Sequence, residues 1–327
     1  MGTPSWQESL RQAFRRPHDL LAALGLEDYA NEIDDEPSFP FLVPKEFVNK
    51  MRHGDFDDPL LRQVLPLKKE TLPTPGFEPD PTDELRFHVQ PGLLQKYAHR
   101  ALIITTGGCA INCRYCFRRN YPYQQQAAGR TRISNILDAL RDDAQLSEVI
   151  LSGGDPLTLS NRQLHDLVSG LGAIRHIKRL RIHTRLPVTI PQRLDDELHA
   201  ILHDTHLDVV MVIHANHANE IDEQVAKALQ GLHQSGSNLL NQSVLLKGIN
   251  DNGDALVALC ERLISANVLP YYVHLLDRVS GSAHFAVSLA EARELELELT
   301  RRLPGYLVPK FVQELAGEPA KTAIHKL

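Results

Sequence analysis

The sequence predicts an α/β protein: a partial (β/α)6 TIM-like barrel, with an N-terminal, mostly helical or irregular extension before it and a C-terminal closing segment after it. Three observations carry this expectation. Apolar, β-prone runs recur after residue 100 at about 30-residue spacing, with amphipathic helical stretches between them. Repeats of strand, helix and strand build parallel βα units with right-handed crossovers. The runs number six, short of a closed eightfold barrel, which leaves a doubly wound open sheet as the second choice. Both architectures place a site at the C-terminal ends of the strands.

Residues 1–95 form the extension. Pro17, Pro37, Pro40, Pro44, Pro59, Pro66, Pro73, Pro75, Pro79, Pro81 and Pro91 break any regular alternation there. Short helices are expected from Trp6 to Phe14 and from Lys45 to Met51, and TLPTPGFEPDPTDEL (71–85) reads as an extended connector. The barrel is expected over 96–285. Its strands are ALIITT (101–106), EVILSGG (148–154), KRLRIHTR (178–185), LDVVMVIH (207–214), NLLNQSVLL (238–246) and VLPYYVHLL (268–276). Helical periodicity shows in SNILDALRDDA (134–144), RLDDELHAILH (193–203) and GDALVALCERLISA (253–266). In 286–327 a charged helix, SLAEARELELELTRRL (288–303), precedes a tail that reads as loop around Gly317 and Pro319.

Composition narrows the class. The 327 residues are 43% hydrophobic and 23% charged, with a net charge of −6, so neither a nucleic-acid nor an anionic-membrane partner is expected. The N-terminus has no apolar signal core, and no 18-residue apolar run offers a membrane span. Four unevenly spaced cysteines do not make a disulfide framework, and a reducing cytoplasm is the expected compartment.

Three of those cysteines, Cys109, Cys113 and Cys116, stand as C-x3-C-x2-C directly after the first strand. Thiolates favour soft metals, and Gly107 and Gly108 permit the sharp exit such a loop needs. A structural zinc site wants a fourth protein ligand. Cys260 lies in an apolar helix and reads as core, although a histidine could complete a zinc set. Three thiolates alone suit an iron–sulfur cluster with one iron left open.

This spacing, with Tyr115 before the third cysteine, resembles the signature of the radical S-adenosylmethionine (SAM) superfamily. The resemblance implies a [4Fe–4S] cluster on Cys109, Cys113 and Cys116, whose open iron takes S-adenosylmethionine. Gly153, Gly154 and Asp155, in SGGDP (152–156), resemble the superfamily motif that contacts the methionine amino group, with Asp where Glu is commoner.

From about residue 90 onward, the blocks CRYCFRRN, SGGDPL, RLPVTIPQRL, HANHANEID, NQSVLLKGIND and PYYVHLLDRVSGSAHF resemble the lysine 2,3-aminomutase family. That resemblance implies a second cofactor, pyridoxal 5′-phosphate, held by Lys321 in GEPAKT (317–322), where the family has a glycine-rich run. It implies Tyr97 and Arg100 at the cofactor phosphate, Arg118 at the substrate α-carboxylate, and Asp277 and Glu314 at its ε-ammonium. Glu314 replaces the family's aspartate and reaches farther. His214 and Gln242 fall where the family contacts adenosine, and equally read as hydrogen-bonded core groups.

The implied reaction carries the α-amino group of L-lysine to its β-carbon, with an electron-donor protein as partner. PYYVHLLD, GYLVPKF and GEPAKT most resemble the bacterial branch that makes (R)-β-lysine for elongation factor P, which a separate lysine ligase attaches. The alternatives are a free-standing lysine or glutamate 2,3-aminomutase and, from another class, a catalytically silent Fe–S or zinc-binding protein. A glutamate enzyme would want basic residues where Asp277 and Glu314 stand.

Overall fold

A computed structural model describes residues 4–126 and 130–327. The apolar runs pair side by side in chain order, giving one ten-stranded sheet. β1 (His88–Gln90) and β2 (Leu93–Tyr97) form an antiparallel hairpin that leads into β3 (Arg100–Thr106). Every neighbour pair from β3 to β9 is parallel: β4 (Glu148–Gly153), β5 (Arg179–Thr184), β6 (Asp208–Ile213), β7 (Asn238–Val244), β8 (Leu269–His274) and β9 (Lys310–Gln313). β10 (Thr322–Ala323) turns back antiparallel on β9. The partial barrel expected from the sequence is thus present, with β1 and β10 as its two end strands.

Crossover helices begin where side-chain oxygens accept their first free N–H groups. Ser160, Asp195, Asp222, Asn252 and Ser288 cap the helices Asn161–Gly172, Asp196–His203, Glu223–Gln234, Gly253–Ser265 and Leu289–Arg302. Leu164, Leu167, Val168 and Leu171 repeat at helical spacing and are buried, which lays that helix on the sheet.

Two regions depart from the sequence reading. The tail read as loop supplies a seventh parallel strand, β9, and the short β10. Four residues between Pro309 and Gly317 are too few for a periodic signal, and the pairing with β8 makes the strand. In the extension, Pro17 starts the helix Pro17–Leu24 instead of breaking one. It sits in the first turn, where no N–H is missed, and Gly25 closes the helix at φ +66°. The helices expected from Trp6 and Lys45 are shorter, Trp6–Arg11 and Lys45–Val48, and the connector ends in a 3-10 turn, Glu84–Phe87.

The extension shares its core with the barrel: Trp6, Leu20, Phe47 and Leu60 join Leu164, Leu186 and Leu229 in one apolar cluster. It also grips the cysteine loop from outside. Asn112 N–H donates to Leu42 O at 3.0 Å and Arg114 N–H to Gln63 O at 2.9 Å. Glu70 takes the Arg114 fork at 3.0 and 2.7 Å and Arg119 at 3.0 Å, with all three side chains buried.

Removing one partner of a buried ion pair strands the other's charge, so Glu70→Ala should cost about 3–5 kcal/mol. Thermal unfolding measures it. An unchanged melting temperature would show that the extension does not brace the loop.

Candidate active site

Cys109, Cys113 and Cys116 line one cavity of about 380 Å³ at the C-terminal ends of the strands. Parallel pairing of β3 with β4 sets their exits side by side, and the two loops are stitched together by backbone. Gly154 N–H donates to Thr106 O and Asp155 N–H to Gly108 O, each at 2.7 Å. The contact is so close that a Cβ on Gly154 would lie 2.2 Å from Gly108 O. Gly153 adopts φ +113°, a backbone that side chains rarely allow.

Burial raises the thiol pKa values of Cys109 and Cys116, the latter to about 11, and the neighbouring thiols raise them further. Such thiols keep their protons until a cation enters. Among the described residues, no three Cys, His, Asp or Glu side chains converge as a single metal ion requires. A [4Fe–4S] cubane takes one thiolate on each of three irons, and three sulfurs facing one cavity suit it. Cys260 is buried in the core of helix Gly253–Ser265 with Leu256 and Val273.

Asp155 is placed differently from the expectation. Its carboxylate accepts from Thr184 Oγ1 at 2.6 Å and from the N–H groups of Leu157, Arg185 and Leu186 at 2.8 to 3.0 Å. Burial raises its pKa, and those bonds pull it back. The side chain therefore fixes the turn after β5 and, with it, Arg185. The Arg185 guanidinium donates to Cys113 Sγ at 2.7 Å, Tyr115 Oη at 2.8 Å, Gln63 Oε1 at 2.6 Å and Glu220 Oε2 at 2.8 Å. His214, whose pKa burial lowers to about 3, shares a hydrogen bond with Tyr115 at 2.7 Å. Gln242 also reaches the cavity wall.

The other wall comes from the chain's tail. Lys321, in the turn between β9 and β10, places Nζ 3.0 Å from His274 Nε2, 3.9 Å from Glu314 and 5.1 Å from the Tyr272 ring centre. Burial lowers its pKa to about 8, against the pull of Glu314 and Asp277. Burial likewise raises Asp277, to about 7, while Lys321 acts to lower it. Burial also lowers the pKa of His274, and Lys321 adds to that, so its imidazole is neutral and accepts from the ammonium.

Glu314 is shared. It accepts from Tyr97 Oη and pairs with Lys96 Nζ at 2.6 Å. Burial opposes its ionisation, but Lys321, Lys96 and Tyr97 lower its pKa overall. Arg100 lies 4.5 Å from the centre of the Tyr97 ring. Arg118 is buried, with Nε and Nη2 on Glu84 at 2.6 and 2.7 Å and Nη1 on Ser152 Oγ at 2.9 Å. Burial works against its charge, yet Glu84 raises its pKa overall.

The structure thus gathers Cys109, Cys113, Cys116, Tyr97, Arg100, Arg118, Asp277, Glu314 and Lys321 around one cavity, with Gly153, Gly154 and Asp155 on its rim. Sequence reasoning missed Glu84, Lys96, Arg185, Tyr272 and His274. Tyr272 and His274 had a signal: they sit two apart on a barrel strand ahead of Asp277, so both face the same side.

Comparison with known proteins follows the same lines. The radical SAM superfamily model matches residues 103–260. L-lysine 2,3-aminomutase of Escherichia coli (strain K12) is 44% identical over 330 aligned residues, covering 99% of this chain and 96% of that protein. The enzyme of the same name from Haemophilus influenzae is 44% identical, over 97% and 95% of the two chains. That of Clostridium subterminale is 35% identical, over 88% and 69%. Among solved structures, Streptococcus suis SuiB bound to precursor peptide SuiA superimposes with a TM-score of 0.51 over 69% of this chain and 50% of that one. At 16% identity it bears on the fold alone.

Gly154→Ala should cost about 1–3 kcal/mol through overpacking and splay the two loops. Melting temperature and iron content after anaerobic reconstitution test this together. Full iron loading in a stable variant would show that the stitch does not place the cysteines.

Proposed function

This chain belongs to the lysine 2,3-aminomutase family of radical SAM enzymes, and from that membership we propose that it converts L-lysine to (R)-β-lysine by moving the α-amino group to the β-carbon. The chain is an isomerase of aminomutase type. The observation that carries the substrate reading is a half-buried lysine of lowered pKa, 3.9 Å from Glu314 and within the field of Asp277, on the wall of the cavity that the three cysteines line.

When bound, the cluster and S-adenosylmethionine would supply a carbon radical for hydrogen-atom abstraction, and pyridoxal phosphate would supply a ring able to spread an unpaired electron. Cys109, Cys113 and Cys116 hold the cluster. Gly153 and Gly154 bring backbone close to S-adenosylmethionine, and Asp155 acts behind them by fixing the turn at Arg185. At the far wall Lys321 holds pyridoxal phosphate, since its amine is neutral in a useful fraction near pH 8 and can condense with an aldehyde. Arg100 offers a planar fork to the phosphate, with Tyr97 beneath it.

Arg118 takes the substrate α-carboxylate, and Asp277 and Glu314 receive its ε-ammonium. Two carboxylates at that end favour lysine over glutamate. The enclosing walls orient the β-carbon and keep water away.

The resemblance of PYYVHLLD, GYLVPKF and GEPAKT to the bacterial elongation factor P branch supports a product destined for that factor and its ligase. An electron-donor protein and a cytoplasmic setting complete the proposal. No helix among the described residues is long and apolar enough to cross a membrane.

An anaerobic assay with reconstituted cluster, pyridoxal phosphate, S-adenosylmethionine, dithionite and L-lysine should yield (R)-β-lysine on chiral chromatography. Deoxyadenosine without β-lysine would keep the radical chemistry and reject the substrate. Reductive trapping of pyridoxal phosphate should label Lys321, rising with pH through about 8 instead of 10.5. Labelling of Lys310 or Lys326 instead would displace it.

Asp277 is protonated below about pH 7, so KM for lysine should climb as pH falls through that value. In Asp277→Asn the climb should vanish. A climb that persists there would assign the titration to another group.

A further inference from the structure

Arg118 already grips a carboxylate of its own chain. Glu84 spans Nε and Nη2 at 2.6 and 2.7 Å, and Ser152 Oγ and Gly153 O take Nη1 at 2.9 and 3.4 Å. All three guanidinium nitrogens are therefore engaged, in a pair where Arg118 is 6% and Glu84 13% exposed. A second carboxylate added to the same fork would meet a charge that is already neutralised and an anion at close range.

Glu84 sits on a strap that lines the cavity. Upstream, Glu78 N–H donates to Arg278 O at 2.9 Å and Ser280 N–H to Glu78 O at 3.0 Å, which fastens the strap to the loop after Asp277. Just before Glu84, Asp83 takes a left-handed φ of +51°, and Asp80 accepts from Glu84 N–H at 3.2 Å. Thr82, Glu84 and Phe87 face the cavity. The strap is thus anchored at Asp277, at one end of the substrate site, and latched at Arg118, at the other.

We propose that Glu84 is a specificity-determining residue: it occupies the Arg118 fork as an internal stand-in for the substrate α-carboxylate, and substrate binds by displacing it. This rests on the reading of L-lysine as substrate and of Arg118 as its carboxylate partner. The exchange is one carboxylate for another on the same donors, so a ligand with an α-carboxylate restores what the fork loses. A ligand without one leaves Arg118 buried and unpaired if the latch opens, or stays outside if it does not. The site thereby demands a carboxylate, in addition to the ε-ammonium that the two acidic residues demand.

Calorimetric titration of the anaerobic, cofactor-loaded enzyme tests this with L-lysine and with cadaverine, which lacks the carboxylate. Glu84→Gln keeps the shape and removes the competing charge. L-lysine should bind that variant on the order of tenfold more tightly than wild type, because the competent state no longer has to be freed. Cadaverine, which places nothing on the fork, should bind both forms far more weakly than L-lysine. Lysine should also raise the melting temperature more in Glu84→Gln than in wild type, since Arg118 there waits unpaired. Glu84→Asp, whose shorter arm spans the fork less well, should fall between.

Weaker or unchanged lysine binding in Glu84→Gln would overturn the latch and leave the lysine reading standing, with Glu84 orienting Arg118 from behind. Failure of wild type to bind L-lysine at all would overturn the substrate reading itself, and the latch with it.

Discussion

Glu314 closes a barrel that its backbone leaves open. β2 and β9 stand near opposite ends of the ten-strand order, yet Tyr97 and Lys96 on β2 meet the carboxylate that follows β9. One side chain therefore spans the two flanks of the sheet, 217 residues apart in sequence for the Tyr97 contact. Glutamate suits the task because it reaches farther than aspartate. The same carboxylate lies 3.9 Å from Lys321 and acts to raise its pKa, so the group that bridges the two flanks also bears on the charge of that lysine.

The opposite wall depends on close backbone approach. Gly154 against Gly108 O leaves no room for a side chain, and the two hydrogen bonds between these loops hold the cysteine turn in place. Behind them Asp155 gathers a hydroxyl and three backbone N–H groups, all from the turns after β4 and β5. Its work is to place Arg185 beside Cys113. A buried cation donating to a sulfur stabilises negative charge on that sulfur. The glycine–glycine–acid run is thus a clamp first, and its match to a ligand-contacting motif rests on the backbone of the two glycines.

The parts legible in the sequence were those with a local signature. The cysteine spacing and the βα rhythm lie within short windows, and the structure contains both of them. β9 was not legible, because four residues become a strand only when β8 is alongside. Arg185, Glu84 and Lys96 were hidden for the same reason. An arginine before a leucine, or a glutamate in a proline-rich connector, has no pattern until the fold sets Cys113, Arg118 or Glu314 against it. Pro17 misled in the other direction, since a proline reads as a breaker until it is known to occupy the first turn.

Charge is distributed so that four of the cations lining the cavity sit beside an anion, and this shapes what can enter. Lys96 and Lys321 share Glu314, Arg118 has Glu84, and Arg185 has Glu220. A loose positive charge attracts any anion; at these four cations, an incoming group must compete with a resident partner. Burial heightens that selectivity, because an ion displaced from its partner in a dry site loses far more than one in water. The histidines at the same depth have lowered pKa values and add no charge of their own. A ligand with both an acidic and a basic end would meet a resident partner at each wall.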